Sequence, residues 1–135
     1  MQLTKQLTLQ DKVIFTGRLN RQQVFEILSL TDLFVLSSHW EGFGIVLAEA
    51  MAFVKPVIST DTDGSREVVQ NGRTGVIVPA EDPLSLGEGI LGLLDNPDLM
   101  LQMGEEGLKR VRKLFNCEQF AEGYERFYET VFSVN

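Results

Sequence analysis

Two carboxylates with seven residues between them, Glu41 and Glu49, bracket the stretch richest in usable chemistry, E-G-F-G-I-V-L-A-E. Gly42 and Gly44 precede an apolar, helix-favouring run. The free N–H groups in the first turn of such a helix carry partial positive charge and can hold phosphate or hydroxyl oxygens. Glycine lets a ligand reach that backbone because no side chain intervenes. Glu49 falls about two turns into the helix, among Ile45, Val46, Leu47, Ala48, Ala50, Met51 and Ala52. An ionised carboxylate in that company is costly unless it is paired or hydrogen-bonded. Helical side chains lean toward the N-terminus, so Glu49 can reach back toward the loop of Glu41. Donors for a phosphate beside two carboxylates for hydroxyls suit a nucleotide-sugar. An isolated glutamate would instead be read as pairing with an internal arginine or capping a neighbouring loop.

The elements that position these groups alternate along the chain. Val13-Ile14-Phe15-Thr16 reads as a strand ending at Gly17, after a polar stretch over 1–12 that suits a helix tail and a turn. Asn20 caps a helix reaching about residue 30, with Val24, Ile27 and Leu28 as its apolar stripe. Leu33-Phe34-Val35-Leu36 is a second strand and leads into the glycine loop. Lys55-Pro56 opens a third strand over 57–59, followed by a polar loop over 60–65, a short helix over 66–70 and the turn Asn71-Gly72. A fourth strand over 75–78 stops at Pro79. Helices then follow over 83–94, from Asn96-Pro97 to about 115, and over 117–132. The last carries an aromatic stripe of Phe120, Tyr124, Phe127, Tyr128 and Phe132, more often core than ligand platform. The expected architecture is α/β: a Rossmann-like parallel sheet of about four strands with helices on both faces and right-handed crossovers.

Composition narrows the function. A chain of 135 residues makes one domain, 1–135, with a real core. A formal charge of −7 argues against a nucleic-acid partner. One cysteine, Cys117, cannot close an internal disulfide, and one histidine leaves no metal-ligand cluster. The N-terminal residues lack the long apolar core of a signal peptide, and no segment has the length of a membrane span, so a cytoplasmic, metal-free protein is expected.

The block E-G-F-G-I-V-L-A-E-A-M-A resembles the E-x(7)-E signature of retaining glycosyltransferases, most nearly the donor-binding half of glycosyltransferase family 4, which has the GT-B fold. V-I-F-T-G at 13–17, D-L-F-V-L-S-S at 32–38, K-P-V-I-S-T-D at 55–61, R-E-V-V-Q-N-G-R-T-G at 66–75 and V-I-V-P at 76–79 follow in that family's order. The resemblance implies the C-terminal, nucleotide-sugar-binding domain of a GT-B transferase, truncated on its N-terminal side. Glu49 would accept hydrogen bonds from the ribose, and Glu41, the candidate catalytic residue, would sit near the transferred sugar. Backbone N–H groups of Gly42, Phe43, Gly44 and Ile45 would hold sugar hydroxyls or the distal phosphate. Arg18 would approach the base, and reads equally as a solvated loop arginine. No metal or other cofactor is implied beyond the nucleotide-diphosphate sugar as co-substrate.

The resemblance covers only the last four of the family's six donor-domain strands. In the usual 3-2-1-4-5-6 order the absent ones lie between 13–16 and 33–36. Two remedies are expected: the 13–16 strand docks beside 33–36, or a second copy or another chain covers the open edge. The fragment alone is expected to be inactive without its acceptor domain. A non-catalytic subunit complementing a separate chain is the rival reading, and a GT-B sugar-nucleotide epimerase fragment a weaker one. Two departures stand out. Val54 occupies a position commonly glycine in the family, so the helix end is expected to turn differently. The 63–67 segment has one glycine where many relatives have two, which weakens any expected contact with the donor sugar. His39, Ser37 and Ser38 read as incidental loop groups. The basic residues Lys109, Arg110, Arg112 and Lys113 could meet anionic lipid at the inner membrane face, but Glu105 and Glu106 favour a solvated, ion-paired surface.

Overall fold

A computed structural model describes residues 2–115; the aromatic helix expected over 117–132 lies outside them. The sheet has three parallel strands, β1 (Phe34–Leu36), β2 (Val57–Thr60) and β3 (Gly75–Val78), in the order β1-β2-β3. Phe34 pairs with Val57 on one side of β2, and Val57 pairs with Gly75 on the other. Every residue of β2 is buried, as a central parallel strand requires. Among the described residues six helices accompany it: α1 (Gln2–Gln6), α2 (Arg21–Leu30), α3 (Ile45–Ala52), α4 (Asp63–Val68), α5 (Pro83–Leu94) and α6 (Pro97–Leu114).

Successive residues of β2 point to opposite faces, and each starts its own core. Val57 joins Leu28 of α2, Leu47, Ala48, Ala50 and Met51 of α3, and Val68 and Val69 at the end of α4. Ile58 joins Val78, Leu93 of α5 and Met103 of α6. Helices therefore cover both faces.

The caps explain most of the helix boundaries. Asn20 accepts from the Gln23 N–H at 3.0 Å while the Gln23 side chain accepts from the Asn20 N–H at 3.0 Å, a full capping box. Asp82 and Asn96 cap α5 and α6, each with proline at the first helical position. Helix α4 starts earlier than expected, at Asp63, because Thr62 Oγ1 accepts from the Ser65 N–H at 3.2 Å and Asp63 supplies a carboxylate to the first turn.

Residues 13–16 depart from expectation. They form no strand, and Val13, Ile14 and Phe15 are exposed. A β-prone run becomes a strand only when a neighbouring strand pairs with it, and no described strand does so; the Val13 N–H donates instead to the Leu9 carbonyl at 3.1 Å. The docking of this segment beside β1 therefore fails, the sheet has three strands instead of four, and the outer edge of β1 has no paired strand among the described residues.

The end of α3 corrects a second expectation. The turn keeps the left-handed form despite its valine: Val54 itself has φ 60°. Its N–H donates to the Met51 carbonyl at 2.9 Å and the Lys55 N–H donates to the Ala50 carbonyl at 3.1 Å, the bond pair of a glycine-type helix stop. A β-branched residue held there is strained by about 1–2 kcal/mol. Val54→Gly should therefore raise the unfolding free energy by about 0.5–1 kcal/mol after the extra entropy of the unfolded glycine chain is deducted. Urea titration checks this, and a loss of stability would show that the left-handed turn is absent.

Candidate functional site

The loop between β1 and α3 is held at its root by Thr60 of β2, whose hydroxyl donates to the Ser38 carbonyl at 2.6 Å. It ends at Gly44, the N-cap of α3, at φ 68° and ψ 39°. That conformation suits glycine, and space demands it too: a Cβ there would stand 3.1 Å from Leu47 Cδ1 and 3.6 Å from Glu41 Cγ. No side chain among the described residues caps α3, and the Leu47 N–H is taken by the Gly44 carbonyl at 2.9 Å, so the N–H groups of Ile45 and Val46 are the first-turn donors left for an incoming acceptor. Gly42 is different: a Cβ there would meet only the Trp40 ring, at 4.0 Å.

The expected site residues fall into two groups. Glu41, Gly42, Phe43, Gly44 and Ile45 form one continuous rim at the α3 N-terminus, with Glu41 half-buried and Ile45 exposed. Phe43 packs edge-on against Phe115, with ring centroids 5.7 Å apart. Glu49 stands in the second turn of α3, its side chain 27% exposed and its Oε1 3.9 Å from Arg21 Nη2. That separation is too long for a hydrogen bond, and Arg21 is itself exposed, so the pairing is weak and leaves the carboxylate free to accept from a ligand. Arg18 lies in an exposed turn and forms no ion pair with Glu41 or Glu49 among the described residues.

Arg21 is the residue that sequence reasoning missed. It opens α2 directly after the Asn20 cap and lies over the Phe25 ring at 5.2 Å. The cap itself was the available signal, since it fixes which residue begins the helix.

A concavity of about 210 Å³ lies beyond the C-terminal ends of the strands, lined by Ser37, Ser38, His39, Thr60, Glu81 and Asp82, with Pro83 and Leu86. His39 Nε2 sits 3.0 Å from Glu81 Oε1, so the histidine turns to the loop after β3. Asp82 accepts from the Ser85 hydroxyl and N–H, which lower its carboxyl below the usual range. Arg66 grips Asp61 with two bonds of 2.6 and 2.8 Å and lowers that carboxyl similarly.

The basic residues of α6 are largely committed. Lys109 donates to Glu106 at 2.7 Å, which with Arg73 lowers the Glu106 carboxyl. Arg110 donates to the carbonyls of Val68 and Glu67 at 2.8 and 2.7 Å. This is the ion-paired surface expected from the neighbouring glutamates. Among the described residues no group of three or more His, Cys, Asp or Glu could hold a metal, and no helix is long and apolar enough to cross a membrane.

The comparisons with known proteins agree with this architecture. N-acetyl-alpha-D-glucosaminyl L-malate synthase of Bacillus anthracis is 37% identical over 131 residues, covering 97% of this chain and 34% of that protein. Sucrose-phosphate synthase from Thermosynechococcus elongatus superposes with a TM-score of 0.89 at 31% identity, over 99% of this chain and 34% of its own. Anabaena HepE, solved in complex with UDP and glucose, shares the fold with a TM-score of 0.83 at 23% identity, over 93% of this chain and 35% of its own. The chain thus spans about a third of the length of each. The shared architecture is the Rossmann-like layer of the GT-B fold. The model of the family described as glycosyl transferases group 1 matches residues 1–110, and on that match the chain belongs to the group 1 glycosyl transferases.

Proposed function

We propose that this chain is the donor-binding, C-terminal portion of a retaining glycosyltransferase of family 4, acting on a nucleotide-diphosphate sugar. The observation that carries the reading is the uncapped N-terminus of α3, entered through left-handed Gly44, with Glu41 before it and Glu49 in its second turn. In the Anabaena protein the same fold holds UDP and glucose. Here the N–H groups of 42–45 receive the distal phosphate or sugar hydroxyls, Glu49 accepts from the ribose, and Glu41 stands at the transferred sugar. As the bond from the anomeric carbon to the diphosphate oxygen breaks, helix N–H groups stabilise the charge on the departing diphosphate. The acceptor hydroxyl attacks the same face and passes its proton to the departing diphosphate oxygen, so configuration is retained. No metal is required for that step.

The acceptor comes from a second domain or chain, and the 135 residues alone bind donor without transferring sugar. The edge of β1, unpaired among the described residues, and the exposed Ile14 and Phe15 favour a second reading, a lobe that complements a separate polypeptide. A partner that co-purifies in fixed ratio supports it.

Calorimetric titration of the purified chain with UDP, GDP and ADP, alone and as sugar conjugates, tests the donor site. Saturable binding of one nucleotide is expected. Glu49→Ala should weaken it by about 1.5–3 kcal/mol, the worth of a hydrogen bond to a charged group, with little change in stability because the Arg21 pair is loose. Equal affinity in wild type and variant would remove Glu49 from the site.

A further inference from the structure

Helix α4 and the glycine loop meet backbone to backbone. Gly64, in the first turn of α4, donates its N–H to the Glu41 carbonyl at 3.1 Å. One of the free donors of that helix end is thereby spent on the loop. A Cβ on Gly64 would stand 2.7 Å from the Phe43 nitrogen and 2.8 Å from both the Glu41 oxygen and the Phe43 carbonyl carbon. The Gly64 oxygen in turn lies 3.4 Å from where a Cβ of Gly44 would be. Glu41, Phe43, Gly44 and Gly64 thus form one close-packed contact, largely of main chain, in which no flexible side-chain end can yield.

The helix end is itself anchored from below. Ser59 of β2, Thr62 and Ser65 are buried, and their hydroxyls form one cluster. Ser59 Oγ donates to Ser65 Oγ at 2.6 Å, and Ser65 Oγ lies 2.7 Å from Thr62 Oγ1. Thr62 Oγ1 also accepts from the Ser65 N–H. A hydroxyl network satisfied in this way rigidifies its surroundings. The central strand therefore fixes the start of α4, and the start of α4 fixes the loop.

We infer that Gly64, held by the Ser59–Thr62–Ser65 cluster, is a positioning residue for the donor loop and sets where Glu41 and the N–H groups of 43–45 stand. The role rests on the donor reading above. A methyl group at 64 must push the Phe43 backbone away by about 0.7 Å to regain ordinary contact distance. Misplacement on that scale is costly where several donors must converge on one ligand.

The test compares wild type, Gly64→Ala, Ser65→Ala and Gly87→Ala in the full chain. Gly87 is the control, because a Cβ there meets nothing within 4 Å. Two readouts are taken. The first, without ligand, is the amide NMR shifts of 41–45 with the emission of Trp40, the single tryptophan, exposed beside the loop. The second is titration with UDP, GDP and ADP. Gly64→Ala should shift the loop amides and the Trp40 emission, leave the amides of Ile58 and Val76 in place, and raise the nucleotide Kd at least about tenfold. Ser65→Ala, which keeps the glycine and loosens its anchor, should broaden the loop amides and raise Kd by about threefold; it decides the matter if Gly64→Ala does not fold. Gly87→Ala should change neither readout. A folded Gly64→Ala with unmoved loop amides, or a moved loop with unchanged Kd, overturns the inference. A wild type that binds no nucleotide overturns the donor reading instead, and the ligand-free shifts then decide the docking of Gly64 by themselves.

Discussion

Gly104→Ala should cost about 2–3 kcal/mol of unfolding free energy, while Gly92→Ala, the same change on α5, should gain about 0.5–1 kcal/mol. Both glycines lie in helix interiors, where alanine is intrinsically favoured. Space reverses the sign at 104. A Cβ on Gly92 meets nothing within 4 Å, whereas one on Gly104 would collide with the Val54 carbonyl oxygen and stand 3.0 Å from its carbon. That carbonyl belongs to the left-handed turn ending α3 and cannot swing aside without breaking the turn. Three residues on, a Cβ at Gly107 would lie 3.0 Å from Met51 Cγ. The two glycines form the groove through which α6 approaches α3. Equilibrium urea titrations of both variants read the pair of signs directly. A neutral Gly104→Ala would mean that α6 does not rest on the end of α3.

The sequence showed local decisions more clearly than encounters between distant residues. Asn20, Asn96-Pro97 and Pro83 marked helix starts because capping depends on residues only a few positions apart. The two glycines before an apolar run likewise placed the loop and the N-terminus of α3. Thr62 is legible in principle as a cap, but the short polar run around it reads as loop, which puts the start of α4 three residues late. The 13–16 segment shows the opposite limit: its β-prone residues report a preference, and a ladder needs a partner that no local pattern can supply. Val54 in the sequence implies an altered turn, yet the backbone keeps its bond pattern and accepts the strain. The remaining site features arise between residues far apart in the chain. Arg21 meets Glu49 across α2 and α3, and Gly64 meets Glu41 across β2. Neither spacing has a periodicity to read.

Leu47→Ala should cost about 3–4 kcal/mol, the upper part of the usual range for a buried leucine. Leu47 is fully buried in the first turn of α3, where it joins the core of the face that Val57 starts. Two terms set the loss: transfer of the missing methyl and methylene groups, and the cavity that the surroundings fail to fill. The second term is large here. Among its buried neighbours Ala48 and Ala50 have no length to extend into a hole, and Val57 and Val68 are β-branched and stiff. On its other side Leu47 Cδ1 occupies the space beside Gly44, which is fixed in its left-handed cap. Leu47→Met, which conserves volume, should cost less than about 1.5 kcal/mol. Denaturant titrations should show a lower midpoint with an unchanged slope for the alanine variant, because the surface exposed on unfolding stays nearly the same. A loss below about 1.5 kcal/mol would mean that the core closes over the gap. The α3 N-terminus, with the donor amides it carries, would then be softer than its packing implies.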